Sequence, residues 1–208
     1  MSKPESAVAD LASIEVAGIS RGAFLVKSAL AVGAVYGTAA VGPFVGQAFA
    51  QSSGGDVDIL NFALTLEYLE ADFYKRGQKL GLSSDVKALA AEFGDHESQH
   101  VDALTQTIQK LGGTPAPMPK FAFPFKDEAS FLKLAQTLED TGVGAYNGAG
   151  PSIQSKEVLA AAGSIVQVEA RHAAAIRLQN NATPAPGAFD QALDMQTVLD
   201  AVKPLIKS

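Results

Sequence analysis

Apolar residues between Asp56 and about Asn180 recur every three or four positions, the spacing that places them on one face of a helix. Glycines, prolines and capping residues divide this region into four helical segments. In chain order the segments run from Asp56 to Gly77, from Ser83 or Ser84 to Gly112, from Asp127 to Gly148, and from Ser155 to Asn180. Asp56, Asp127 and Ser155 are expected to cap the helices that they begin.

The connections between the four segments are of unequal length. Residues 114–125, between the second and third helices, contain four prolines and three phenylalanines. This stretch is too rich in proline for a helix and too aromatic for a solvated linker, so we expect it to lie along a core. Two short hairpins joined by one long crossover predict an antiparallel, all-α four-helix bundle over residues 51–182. Another all-α arrangement is the alternative at this point.

The two ends of the chain differ from this pattern. A charged patch, Ser20-Arg21-Gly22-Ala23-Phe24-Leu25-Val26-Lys27, precedes an apolar run to Phe44, and Ala48-Phe49-Ala50 closes the segment. An apolar stretch that ends in small-x-small predicts an export signal over residues 1–50, cleaved near Ala50. It is similar to a twin-arginine signal, although Gly22 stands where the second arginine belongs. An uncleaved membrane anchor is the alternative. At the other end, residues 183–208 form a tail with one short helical pattern, Phe189 to Val202.

Composition excludes several classes of function. Of the 208 residues, 47% are hydrophobic and 18% are charged, which is a globular balance. The formal net charge of −6 and the lack of a basic cluster argue against a nucleic-acid partner. The chain has no cysteine, which excludes disulfides, thiolate zinc sites and iron–sulfur centres.

Charged residues on the apolar stripes are the candidate chemistry. Each helix has a glutamate on its apolar face (Glu67, Glu97, Glu139 and Glu169), and the second and fourth helices add His100 and His172 one turn later. Four buried carboxylates repel one another unless cations lie between them. Four carboxylates and two neutral imidazoles carry a charge of −4, which two divalent ions cancel, and a set rich in oxygen suits iron or manganese.

The spacing of these residues repeats. Glu67 and Glu139 are 72 residues apart, and the same interval separates Tyr74 from Tyr146, Glu97 from Glu169 and His100 from His172. The chain therefore contains two copies of one helical hairpin, each with a Glu and a Glu-x-x-His pair. Glu67 and Glu97 lie at similar distances from the turn that joins their helices, so they face each other across the hairpin.

A family resemblance rests on these motifs. The segments that carry it are Leu66-Glu67-Tyr68-Leu69-Glu70, Phe73-Tyr74, Glu97-Ser98-Gln99-His100, Leu138-Glu139-Asp140-Thr141-Gly142, Tyr146 and Glu169-Ala170-Arg171-His172. Over residues 56–180 the chain resembles the ferritin-like superfamily, and within it the exported single-domain proteins called desiccation-related. The resemblance implies a ferritin-like bundle that holds two Fe ions, or two Mn ions, and reacts with dioxygen or peroxide.

The resemblance also implies a role for each residue. Glu67 and Glu139 would be ligands from single helices, Glu97 and Glu169 bridging carboxylates, and His100 and His172 terminal ligands. Tyr74 and Tyr146 would hydrogen-bond to these ligands from outside, although they would serve equally well as core aromatics. Glu70 and Asp140 compete for the carboxylate roles on their helices, but neither repeats at 72 residues.

His96 offers a different interpretation of the same stretch. His96-Glu97-Ser98-Gln99-His100 spells H-E-x-x-H, the zinc motif of metalloproteases. That motif leaves Glu67, Glu169 and His172 unexplained, and the residue 72 positions after His96 is Val168. His96 is therefore expected to be a neighbour of the centre or a surface group.

Two hypotheses for function follow. The first is an exported di-metal oxidoreductase that oxidises ferrous iron or consumes dioxygen or peroxide. The second is a non-enzymatic protein that sequesters metal or protects the cell envelope under stress. A vestigial site, with protonated glutamates hydrogen-bonded to the histidines and no metal, is a further alternative. Metal ions and the oxidant are the expected partners, contact with a membrane is expected only through an uncleaved signal, and a homo-oligomer is compatible with the sequence.

Overall fold

Four long helices and one short helix make up most of the computed structural model, which describes residues 55–207. The elements are α1 (Asp56–Gly77), α2 (Ser84–Lys110), β1 (Lys120–Phe121), α3 (Glu128–Ala149), α4 (Lys156–Gln179), α5 (Met195–Val202) and β2 (Ile206–Lys207). Single 3-10 turns cover Gly150–Ser152 and Lys203–Leu205. The predicted export segment, residues 1–50, lies outside the described residues.

The helices pair as the sequence predicts. α1 packs mainly on α2 and α3 packs mainly on α4, so the two hairpins are units of the fold. Short connections make the helices of each pair antiparallel, and the long crossover joins α2 to α3. The predicted all-α bundle with a long crossover between its second and third helices is confirmed. None of the described helices is both long and apolar enough to cross a membrane.

Side-chain caps define the starts of α3 and α4. Asp127 accepts a hydrogen bond from the Ser130 amide while the Ser130 hydroxyl accepts one from the Asp127 amide, which makes a capping box. Ser155 accepts from the Val158 amide at 3.2 Å and so caps α4.

Asp56 does not cap its own helix, because Gly55 is the N-cap of α1. Its carboxylate instead accepts hydrogen bonds from the amides of Gln154 at 2.7 Å and Ser155 at 2.8 Å. The start of α1 is thereby tied to the start of α4. Ser83 occupies the N-cap position of α2, as expected, but its side chain makes no hydrogen bond to the helix.

The crossover lies against the core, as its composition predicts. Phe121 is 1% exposed. The rings of Phe123 and Phe125 pack edge-on against Phe73, and each has its centroid 5.4 Å from the centroid of Phe73. The tail covers the same core with Val198, Val202 and Leu205. β1 and β2 join crossover and tail in an antiparallel pair, with Phe121 opposite Ile206.

The predicted tail helix is shorter than its sequence pattern. α5 begins at Met195 because the Asp194 carboxylate accepts from the Thr197 amide at 2.9 Å and caps the helix there. Phe189, where the pattern begins, lies outside the helix and is 94% exposed.

Candidate metal centre

The four long helices each direct one carboxylate to the middle of the bundle. Glu67, Glu97, Glu139 and Glu169 are at most 1% exposed. Helices α2 and α4 each add a histidine one turn later, because residues three positions apart lie on the same helix face. The structure thus brings together all six of the residues that the sequence suggests as ligands.

The first group of possible ligand atoms surrounds Nδ1 of His100. This nitrogen lies 3.2 Å from Oε2 of Glu67, 3.0 Å from Oε2 of Glu97 and 3.0 Å from Oε1 of Glu169. The ligand atoms of these four residues all lie within 4.8 Å of one another, close enough to surround one ion.

The second group surrounds Nδ1 of His172. It lies 2.9 Å from Oε1 of Glu97 and 3.5 Å from Oε2 of Glu139, and Glu169 completes the set. Glu97 and Glu169 belong to both groups. Two ions held by these groups would therefore share two carboxylates, one from α2 and one from α4.

Several buried polar atoms in the two groups have no hydrogen-bond partner among residues 55–207. They are Oε1 of Glu97, Oε2 of Glu139, both carboxylate oxygens of Glu169 and Nδ1 of His172. The short distance between His172 and Glu97 does not have hydrogen-bond geometry, so these atoms converge on a common space rather than on each other. Unsatisfied buried acceptors are costly, and a cation among them satisfies all of them at once. The residues present therefore fit a two-metal centre.

Two buried tyrosines hold the outer carboxylates in place. The Tyr146 hydroxyl donates to Oε1 of Glu67 at 2.5 Å, and the Tyr74 hydroxyl donates to Oε1 of Glu139. Each tyrosine thus bonds to the glutamate of the opposite hairpin. Tyr74 belongs to one apolar cluster and Tyr146 to another, so the centre lies between two hydrophobic regions of the bundle.

Glu70 is a fifth buried carboxylate beside the centre. A Cβ atom added at Gly142 would lie 3.3 Å from Oε1 of Glu70 and 3.4 Å from Oε2 of Glu169, so both carboxylates press against this glycine. Burial and the charges of Glu169 and Glu139 raise the pKa of Glu70 well above its usual value. Gly142 stands 72 residues after Glu70, and its small size leaves room for the extra carboxylate.

When no metal is bound, protons on the buried histidines and carboxyl groups offset part of the negative charge. Burial disfavours charge on the histidines, but the close carboxylates outweigh it and raise the pKa of His100 to about 12 and that of His172 to about 10. Burial raises the pKa of Glu67 to about 7. Burial also opposes ionisation of Glu97, but the hydrogen bond with His100 and the positive charge of the nearby His172 lower its pKa to about 2. The two imidazolium rings therefore balance part of the buried charge.

A cavity of about 490 Å³ between α2 and α4 reaches the histidine side of the centre. His96, His100 and His172 line it together with Arg171 and Gln99. Arg171 and Gln99 were not identified as cavity residues from the sequence. The one feature of the sequence that could have indicated them is that each lies directly beside a ligand histidine. The cavity gives small solutes a route towards the ligands.

His96 and Asp140 lie outside both ligand groups. Asp140 pairs with Arg177 at 2.6 Å. Nδ1 of His96 instead faces Nε2 of His172 at 2.9 Å. A protease-type zinc site needs His96 and His100 on one ion, and the structure does not bring them together in this way.

Comparisons with known proteins agree with this geometry. The sequence profile described as the ferritin-like domain matches residues 55–182. The crystal structure of a conserved hypothetical protein from Mycobacterium tuberculosis is similar in fold, with a TM-score of 0.57 at 20% identity. The alignment covers 64% of this chain and 96% of that protein. No curated protein matches the sequence.

Proposed function

The chain belongs to the ferritin-like domain family, and on that premise we propose that it binds two iron or two manganese ions and uses them to react with dioxygen or peroxide. The observation that carries the proposal is the pair of ligand groups that share Glu97 and Glu169. Bound there, the ions would supply redox chemistry and polarise the oxidant.

The donor set supports iron or manganese over structural zinc. Four carboxylates and two imidazoles are rich in oxygen, which suits these metals, whereas structural zinc sites favour four thiolate or imidazole ligands. Two divalent ions also balance the four carboxylate charges when the histidines are neutral. The metal ions would therefore displace the protons that the histidines and Glu67 otherwise hold.

The surrounding residues would support this chemistry without reacting themselves. Tyr74 and Tyr146 orient Glu139 and Glu67 by hydrogen bonds. The apolar clusters on both sides of the centre exclude bulk water, and the cavity between α2 and α4 admits the oxidant. The chain has no cysteine to hold an electron donor, so ferrous oxidation or peroxide dismutation needs fewer components than a sustained oxidase reaction.

Export to the cell envelope is part of the proposal and rests on the sequence of residues 1–50. A protein of desiccation-related type would then meet metal ions and oxidants outside the cytoplasm. The second candidate function is metal sequestration or protection without turnover. The imidazolium–carboxylate pairs favour protection without turnover, because they balance part of the buried charge when no metal is bound.

Oxidant consumption separates the two functions. We expect purified protein, loaded anaerobically with Fe(II) or Mn(II), to turn over an oxidant in excess of its metal content. It should either consume dioxygen while added Fe(II) supplies the electrons, or convert hydrogen peroxide to water and dioxygen. Glu97→Gln should abolish consumption, because this residue serves both ligand groups. Asp102→Asn, an exposed change on the same helix away from the cavity, is the matched control and should have no effect. Two bound ions per chain with no turnover of either oxidant would leave sequestration as the function.

A further inference from the structure

His96 makes a well-defined contact with the centre. Its Nδ1 lies 2.9 Å from Nε2 of His172. The two rings are within 5° of parallel, and their centroids are 5.2 Å apart. Because the ring centroids are 5.2 Å apart, the 2.9 Å contact between the two nitrogens lies in the plane that the rings share. The contact is therefore a hydrogen bond and not a stacking contact. Phe93 packs over His172 with centroids 4.0 Å apart and restricts its rotation.

The direction of this bond follows from the other side of the His172 ring. Nδ1 of His172 faces Glu97 and Glu139, so it is the nitrogen that would bind a metal. A free lone pair on Nδ1 requires the proton to be on Nε2, which then donates to Nδ1 of His96. His96 acts as the acceptor and carries its own proton on Nε2. One hydrogen bond thus fixes the orientation and the proton position of both rings.

The other half of the centre lacks this support. The residue 72 positions after His96 is Val168, which lines the same cavity as His100. Valine cannot accept a hydrogen bond, and within residues 55–207 no side chain is hydrogen-bonded to Nε2 of His100. The His100 side chain is 11% exposed, whereas that of His172 is 2% exposed. The two halves of the repeat therefore differ at the position that orients the histidine ligand, which is His96 in one half and Val168 in the other.

We propose that His96 is a positioning residue that makes the two metal positions inequivalent. The position at His172, with an oriented and more basic imidazole, fills first. The position at His100, which borders the cavity, fills second and exchanges its ion more readily. This inference rests on the proposed two-metal centre. Hydrogen-bond partners of histidine ligands typically contribute about 10- to 100-fold in metal affinity, so we expect the two affinities to differ by that order.

Titration of the full chain with Mn(II), or with Co(II) as an optical probe, tests the proposal. The wild type should bind two ions in two resolved steps. His96→Val copies the other half of the repeat and should weaken the first step about 10- to 100-fold, so that the two steps merge. His96→Asn keeps an acceptor close to the position of Nδ1 and should retain the two steps. Gln106→Ala, an exposed change on the same helix outside the cavity, is the control and should leave both steps in place.

The reciprocal variant sharpens the test. Val168→His should strengthen the second step without weakening the first, because it gives His100 the acceptor that it lacks. Two ions bound by the wild type in one unresolved step, or equal weakening of both steps in His96→Val, would overturn the inference and leave the two-metal centre intact. Failure of the wild type to bind two ions would overturn the proposed function itself. Thermal unfolding of each variant checks that a lost step does not come from a lost fold.

Discussion

Proton occupancy at single residues links the centre to the stability of the protein. Without metal, the pKa of Glu67 is about 7, that of His172 about 10 and that of His100 about 12. All three lie above the values of the unfolded chain, near 4.5 for glutamate and 6.5 for histidine. The folded protein therefore holds more protons than the unfolded chain across the neutral range.

We predict that the free energy of unfolding of the metal-free protein falls as pH rises from 5 to 9. The stabilisation by these groups is complete below their unfolded pKa values and is lost as pH rises through their folded values. Glu97, with a pKa near 2, contributes stability that is complete above about pH 4.5 and is lost only as pH falls below it, so it does not oppose the trend. Urea unfolding at a series of pH values, with a chelator present, measures this free energy.

The metal-loaded protein is the comparison for this measurement. Its ligands are deprotonated when they bind metal, so stabilisation by metal should grow with pH over the same range. Stability of the metal-free protein that rises from pH 5 to 9 would contradict the proton assignments.

Some residue roles followed from sequence and others did not. The burial and convergence of Glu67, Glu97, Glu139 and Glu169 could be predicted, because charges on an apolar helix face need a partner and because their spacing repeats. The contact between His96 and His172 joins different helices and depends on the rotation of each helix about its axis. Residue spacing along one helix contains no information about that rotation.

At the scale of elements, the crossover and the tail complete the core that the four helices begin. The sequence predicts that residues 114–125 lie on the core, since their composition shows aromatic side chains in an unhelical stretch. The pairing of β1 with β2 was not predictable, because two-residue strands have no alternating pattern and their partners are far apart in sequence. The tail helix was expected to begin at Phe189, and the cap at Asp194 moves it to Met195.

Phe121→Ala tests whether the crossover is part of the core. The ring is 1% exposed within the cluster that also contains Phe73 and Phe131, so its loss should reduce the free energy of unfolding by about 3–5 kcal/mol. Phe189→Ala, at a ring that is 94% exposed, is the control and should change it by less than about 0.5 kcal/mol. Equal effects of the two substitutions in urea unfolding would mean that the crossover does not pack as described.

At the scale of the whole molecule, the centre depends on both hairpins. The group at His100 takes Glu67 and Glu97 from the first hairpin and Glu169 from the second, and the group at His172 takes Glu97 from the first hairpin in return. The tyrosines cross between hairpins in the same way. Neither copy of the repeat contains a complete candidate ligand group, so the duplication in the sequence corresponds to one cluster between the hairpins rather than one in each.

The number of metal ions bound per chain tests this account most directly. Anaerobic loading with Mn(II), followed by metal analysis and electron paramagnetic resonance, should give two ions per chain with an exchange-coupled signal, because Glu97 and Glu169 serve both groups. Glu169→Ala should disrupt binding at both positions. A single bound zinc ion that survives both Glu67→Ala and His172→Ala, or two ions without magnetic coupling, would contradict the shared-carboxylate centre.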